Sequence, residues 1–353
     1  MRRGARRVGD VALELVGIDA LGERRHVMVD GAPRATSALT LSHWPATPSP
    51  PELARDTSCE IALAALAARW RLPAAVDAAT NDHLDEDGAC ALFVLCAPAL
   101  AAAHGVLLAE AARAGDFDVV TSEAAGFVAW TLRALFDPER SPLAAGASRR
   151  GEAWTAHAYA EALAELPALL EHPGRAVARY GDEASAWRAG TAALATGRLR
   201  LLRDPELDFV IIEADDALLG GRFARIGHGH ALPVHPAVLH GAAEESRVLV
   251  HWGDRWCYYD RYETWVRTVS RPRLLRRELG PLAAELSAAE PGAISWSADY
   301  CGTLVPVLAP LGGASDLAPE VVVAMIRRHL AGAPPAWDPS RRQGALLAYG
   351  ATH

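Results

Sequence analysis

Thr80-Asn81-Asp82-His83-Leu84-Asp85-Glu86-Asp87-Gly88 places one histidine and four acidic side chains within nine positions, between an apolar approach and the run Ala89-Cys90-Ala91-Leu92-Phe93-Val94-Leu95. The flanks read as a short buried strand entering the turn and a helix leaving it. Open α/β sheets place their sites at such turns, so this segment points to the α/β class. His83, Asp85 and Asp87 alternate and would share one face of an extended segment, with Gly88 easing the turn into the helix. Imidazole and carboxylate donors on one face suit a hard divalent cation, Mn2+ or Mg2+. Without a cation the neighbouring carboxylates would repel one another.

Plainer readings compete. An Asp-rich turn also forms as a solvated loop bonded to its own backbone. A calcium loop would need a Glu at its twelfth position, where Val94 stands. Zinc fits less well, because the local donors are mostly carboxylates and no Cys-x-x-Cys pair lies nearby.

The strand followed by His83-x-Asp85-x-Asp87-Gly88 resembles the first motif of the DHH phosphoesterase superfamily, which includes RecJ-like exonucleases, oligoribonucleases and cyclic-dinucleotide phosphodiesterases. The resemblance covers about ten residues, and the Asp-His-His triplet that names the superfamily does not occur in this chain. It implies a parallel-sheet N-terminal domain with a two-manganese site and a smaller C-terminal α+β domain. His83, Asp85 and Asp87 would be metal ligands. Asp118, in Gly115-Asp116-Phe117-Asp118, is the positional candidate for the superfamily's isolated bridging Asp. His228 and His230, in Gly227-His228-Gly229-His230, are candidates for a further ligand or a substrate donor. Leu41-Ser42-His43-Trp44, Asp56-Thr57-Ser58 and Arg261-Tyr262-Glu263-Thr264-Trp265 also resemble an uncharacterised bacterial protein family, which supplies no activity.

Outward from the motif, the chain has 353 residues, enough for two domains. With 51% hydrophobic and 22% charged residues it can bury a full core. All 35 basic residues are arginine. That excludes a Schiff-base lysine and a Walker-type lysine. A net charge of -8 weighs against long nucleic acid and leaves room for a small anionic substrate held by a few arginines, Arg261 among them. No long apolar run or signal h-region is apparent, so a cytoplasmic protein without membrane contact is expected, and a homodimer is compatible with it. The five scattered cysteines read as small buried hydrophobes rather than a disulfide scaffold.

Strands are expected at Val11–Val16, His26–Val29, Ala38–Leu41, Leu72–Thr80 and Leu207–Ala214, with a hairpin over Arg247–Tyr262 around Gly253. Helices are expected from Thr57, whose Thr57-x-x-Glu60 spells a capping box, and from Gly88 to Gly115 with a break near Pro98 or His104-Gly105. Further helices are expected at Trp154–Leu170, Asp182–Gly197, Leu282–Ala289 and Pro319–Leu330. Glycine and proline concentrate between Gly220 and Pro236, which sets the expected division at 1–225 for a DHH-like metal-binding α/β domain and 226–353 for a smaller α+β substrate or cap domain. The expected function is a divalent-metal-dependent hydrolase of a small phosphoester or phosphoanhydride. Its rivals are a catalytically inactive DHH-like protein binding a nucleotide or partner, and a metal-dependent tailoring enzyme of bacterial biosynthesis.

Overall fold

The structure, a computed structural model, describes residues 6–45, 47–137, 139–144, 152–215, 223–226 and 230–339. It is a mixed α/β protein of two compact units: 1–184 with 268–272, and 185–267 with 273–353. The division falls between 184 and 185 rather than between 225 and 226. The reason lies in backbone pairing, because the strands at Leu199–Asp204 and Phe209–Ala214 belong to the second unit's sheet.

In the first unit, β1 (Glu14–Leu15), β2 (His26–Val29), β3 (Ser37–Leu41) and β4 (Ala78–Thr80) form a wholly parallel sheet in the order β1-β4-β2-β3. Every residue of β2 is buried, as expected for a strand covered on both faces. Val27 and Val29 face the main core, whereas Met28 packs with Val16, Ile18 and Leu21 on the other side. The approach to β4 is shorter as a strand than its sequence suggests. Pro73 and the left-handed Ala75 (φ 62°) keep it irregular until Ala78.

Helix α1 (Ser58–Ala67) starts at the capping box foreseen: Glu60 N donates to Thr57 Oγ1, and Thr57 N donates to the Glu60 carboxylate. Helix α2 (Glu86–Cys96) is buried along nearly its whole length and packs against α1, sharing one core with Cys59, Ile61, Ala62 and Ala65. Burying a side chain such as Phe93 contributes on the order of 1.5–3 kcal/mol, which is why an all-round apolar helix takes the centre. The expected long helix breaks at both foreseen places, giving α3 (Pro98–Ala103) and α4 (Gly105–Asp116). Helices α5 (Glu123–Phe136) and α6 (Glu152–Glu171) complete the layer, and α7 (Val177–Ala195) carries the chain across the division.

The second unit holds β5 (Leu199–Asp204), β6 (Phe209–Ala214), β7 (Phe223–Ile226), β8 (His230–Leu232), α8 (Pro236–Ala242), β9 (Arg247–Trp252) and β10 (Arg255–Asp260). They are followed by β11 (Arg276–Arg277), α9 (Gly280–Ala289), β12 (Trp296–Ala298), β13 (Val307–Pro310), α10 (Pro319–Gly332) and β14 (Pro335–Trp337). Its mixed six-stranded sheet runs β12-β13-β10-β9-β6-β5, with β6 and β9 parallel and the other pairs antiparallel. Alternate residues serve two cores. Phe209, Ile211, Leu249 and Tyr258 pack with α9 and α10, while Val210, Ile212, Val250 and Tyr259 pack with α8. The β9–β10 hairpin turns at Gly253 in the left-handed region (φ 59°).

Candidate metal centre

Three adjacent parallel strands of the first unit end at one place. From β2 the chain goes to β3 on one side and, through α1, to β4 on the other, so β2 marks the point where the strand order reverses. Asp30 follows β2 directly, His43 lies two residues beyond β3, and His83, Asp85 and Asp87 follow β4. Asp116, the last residue of α4, joins them.

The donors form two groups sharing Asp30: Asp30, His43, Asp87 and Asp116 in one, and Asp30, His83 and Asp85 in the other. In the first, His43 Nε2 lies 3.3 Å from Asp30 Oδ1, 3.3 Å from Asp116 Oδ2 and 3.8 Å from Asp87 Oδ2. In the second, His83 Nε2 lies 3.4 Å from Asp30 Oδ2 and 2.7 Å from Asp85 Oδ2. Asp30 thus turns one oxygen to each group, the arrangement of a bridging carboxylate. Donors around one cation bonded at roughly 2.1 Å are separated by roughly 3 to 3.5 Å, which most of these spacings match.

The surroundings hold each donor in a ligand-ready pose. His43 Nδ1 contacts the Asp56 carbonyl at 2.6 Å, which fixes its proton on Nδ1 and turns Nε2 toward the carboxylates. His83 Nδ1 is 3.0 Å from Asp82 Oδ1, a contact that orients the ring. Both oxygens of Asp87 accept backbone amides at the start of α1, from Ser58 and Cys59. Asp85 caps α2 by accepting from Gly88 N with Oδ1, which leaves Oδ2 for His83. Tyr159 of α6 donates to the His83 carbonyl and ties down the turn. Asp30 sits in the left-handed region (φ 43°), a strain on the order of 1 kcal/mol that aspartate tolerates better than most residues. Gly88 is needed for space rather than for a turn: a Cβ there would stand 2.2 Å from Asn81 Nδ2 and 2.6 Å from the Tyr159 hydroxyl.

Electrostatically the cluster is one cation short, or two. Burial, reinforced by the charge of Asp30, pushes Asp85 up to about 7 and Asp87 up to about 8. Burial and the charges of Asp87 and Asp85 push Asp116 well above the carboxylate range. Burial would raise Asp30 too, but the neighbouring imidazoles of His43 and His83 hold it well below its ordinary value. Both imidazoles move up despite burial: His83 well up beside Asp85, and His43 beside Asp30. Among the described residues Asp30 Oδ2 and Asp116 Oδ2 are buried and accept no hydrogen bond. Buried carboxylate oxygens in that state call for a positive charge. Four carboxylates would balance two dications, so the residues fit such ions on donor type, spacing and charge.

The structure brings His83, Asp85 and Asp87 together and moves the other expected residues elsewhere. Asp118 is not the bridge; it pairs with Arg133 at 3.4 Å, and Asp30 has the bridging position. The segment reads as a strand end but is the end of α4, so Asp116 on the helix is the residue that reaches the cluster. Arg261 is fully buried in the second unit, where Glu263 and the Ala243 carbonyl take its donors, so it cannot meet a substrate. His228 and the side chain of His230 lie outside the described residues. Asp30, His43 and Asp116 were missed. Asp30-Gly31 after an apolar strand, and His43 just past another, carry the same strand-end signal that marks His83.

A separate groove of about 900 Å3, lined by Glu60, Leu63, His104, Val106 and Ser122 among others, contains none of the cluster residues. Among the described residues no helix is long and apolar enough to cross a membrane.

Residues 13–341 match the model of a family of unknown function, DUF6687, and the chain belongs to that family. No curated protein and no solved structure matches it.

Proposed function

We propose that this member of DUF6687 is a divalent-metal-dependent hydrolase of a small phosphoester or phosphoanhydride, built on a DHH-like arrangement of ligands and using Mn2+ or Mg2+. The observation that carries the reading is Asp30, whose two oxygens face two donor groups delivered by adjacent strand ends. A pair of divalent ions held there would supply Lewis acidity, activating water and neutralising charge on a transferring phosphoryl group. The chain's own contribution is placement. Asp56 fixes the tautomer of His43, Asp82 orients His83, and the amides of Ser58 and Cys59 hold Asp87 while the ions are absent. Asp30 and His43 supply donors that the missing Asp-His-His triplet would otherwise have provided, which favours an active site over a retired one.

The test is elemental analysis of protein purified without chelator, wild type beside Asp87→Ala, followed by phosphate release from a panel of small phosphoesters. Bound manganese that is lost in the variant, with metal-dependent phosphate release by the wild type, is the expected result. Metal binding without release from any phosphoester would move the reading to a nucleotide-binding protein or a tailoring enzyme. No metal in either protein, even after manganese is added back, would end it.

A further inference from the structure

The two donor groups around Asp30 differ in every property that governs how tightly an ion is held. The inner group has four protein donors, and its side chains are 0% exposed at Asp30, His43 and Asp87 and 5% at Asp116. The outer group has three donors, and two of them reach solvent, His83 at 16% and Asp85 at 21%. Asp82 beside them is also 21% exposed. Inner donors are anchored to rigid elements: Asp87 by two amides of α1, His43 by the Asp56 carbonyl. The outer pair sits on the turn between β4 and α2, and there His83 contacts Asp82 on one nitrogen and Asp85 on the other.

We propose that the inner group holds a resident ion and that the outer group holds an exchangeable ion completed by an oxyanion, so that the second ion and a phosphorylated substrate are bound together. This rests on the phosphoester reading above and adds the order of assembly and the ligand class. A site that supplies more of a metal's ligands from its own side chains holds it more firmly, whereas one that leaves more positions open shares it with substrate. A six-coordinate Mn2+ or Mg2+ on three protein donors has three positions left, and such ions are commonly shared between one or two carboxylates and the oxygens of a phosphate. Charge points the same way. Four carboxylates crowd the cluster, so a dianion arriving with the second ion meets less repulsion than one arriving alone. Arg113 in α4 and Arg133 in α5 are engaged with Glu60 and Asp56 and with Glu86 and Asp118. Neither is spare for an anion, which leaves that part to the ion.

The experiment is titration of chelator-treated full-length protein with Mn2+, following the signal of the free ion by electron paramagnetic resonance, with and without inorganic phosphate. The wild type should take up one equivalent tightly and a second at least about tenfold more weakly. Phosphate should tighten the second equivalent and leave the first unchanged. Asp85→Asn, which keeps the cap on α2, should lose the second equivalent only, and Asp116→Asn should weaken the first. Two equivalents of equal affinity, a second equivalent indifferent to phosphate, or an Asp85→Asn protein that has lost the tight ion would each overturn the proposal. Absence of any Mn2+ binding would overturn it together with the hydrolase reading. Ordered binding without phosphoester turnover would remove the hydrolase reading alone.

Discussion

Asp30 in the first unit and Arg276 in the second are both wholly shielded from solvent, and their surroundings are built in opposite ways. Arg276 lies 4.9 Å from the centre of the Trp337 ring and spends all three guanidinium nitrogens on partners: Thr264 Oγ1 and the carbonyls of Cys301, Thr303, Leu304 and Arg261. Its neighbour Arg261 is closed off in the same manner by Glu263 and Ala243. Asp30 instead stands among three other carboxylates, with Oδ2 accepting no hydrogen bond among the described residues. A buried charge whose partners are all supplied by the chain is part of the scaffold. One that stands among like charges with a buried oxygen left over marks a binding site. Both kinds of residue look alike in the sequence, and only the inventory of partners separates them.

Asp30→Asn should break the comparison most severely. Asparagine accepts the left-handed backbone, keeps the shape and still receives the Ser58 hydroxyl, so the fold should survive. It removes the charge that joins the two donor groups. The protein should lose both ions and all metal-dependent turnover, while the metal-free form still folds but melts somewhat lower, because the carboxylate that His43 and His83 face is gone. Elemental analysis beside thermal melting checks this, and a variant that keeps its metal would mean that Asp30 is no bridge.

The mirror experiment is Arg276→Met in the second unit. It would take the donor from the buried Cys301 carbonyl and from the partly buried carbonyls of Thr303 and Leu304, a loss of about 1 to 3 kcal/mol for each acceptor that water cannot reach. Metal content per folded chain should be unchanged, because the residue supports its own unit. Denaturant unfolding followed by a probe in that unit reads the loss. A shift below about 1 kcal/mol would show that the network contributes little.

The pH response sharpens the same contrast with a smaller effect. Asp85 and Asp87 titrate at about 7 and about 8 in the folded, metal-free protein, above their unfolded value of 3.8. Their protonated forms therefore stabilise the fold, fully below the unfolded value and progressively less as pH rises through the folded ones. His43 and His83 are also raised and act in the same direction. Asp30 is lowered, so its contribution is lost only on acidification below the ordinary carboxyl range. Metal-free protein should lose stability steadily between about pH 4 and pH 8. With Mn2+ present the slope should reverse, since protons and the ion compete for the same oxygens. Parallel melting curves with and without Mn2+ would contradict the assignment.

Much of this was legible in the chain. The capping box at Thr57, the helix breaks at Pro98 and Gly105 and the Gly253 hairpin rest on local rules and appear where those rules put them, whereas His83, Asp85 and Asp87 do not share one extended face: α2 begins at Glu86 with Asp85 as its cap, so Asp87 and Gly88 lie inside the helix. What was not legible depends on spatial neighbours. Asp30 and His43 are single residues after short strands, and only the order β4-β2-β3 brings them beside His83. The division between units escaped because β6 pairs in parallel with β9, a contact that no sequence-local signal marks. Arg261 reads as an anion binder until Glu263 is seen to fold back on it.

Asp118→Asn is the gentlest test, and it separates two residues only two positions apart. Asp116 closes α4 with its carboxyl beside His43, whereas Asp118, in the left-handed region at φ 50°, turns to Arg133. Arg133 is also held by Glu86 and by the Gly115 carbonyl, so the two weak contacts to Asp118, at 3.4 and 3.5 Å, can be removed without releasing it. The pair is partly exposed, at 32% for Arg133 and 22% for Asp118, where such bridges contribute at most about 1 kcal/mol. Asparagine also suits the backbone there. Asp118→Asn should therefore bind the same two equivalents of Mn2+ as wild type, with a melting temperature nearly unchanged, while Asp116→Asn weakens the first equivalent. If instead Asp118→Asn loses an ion and Asp116→Asn does not, the end of α4 is oriented differently in the working protein and the inner donor group needs a new fourth member.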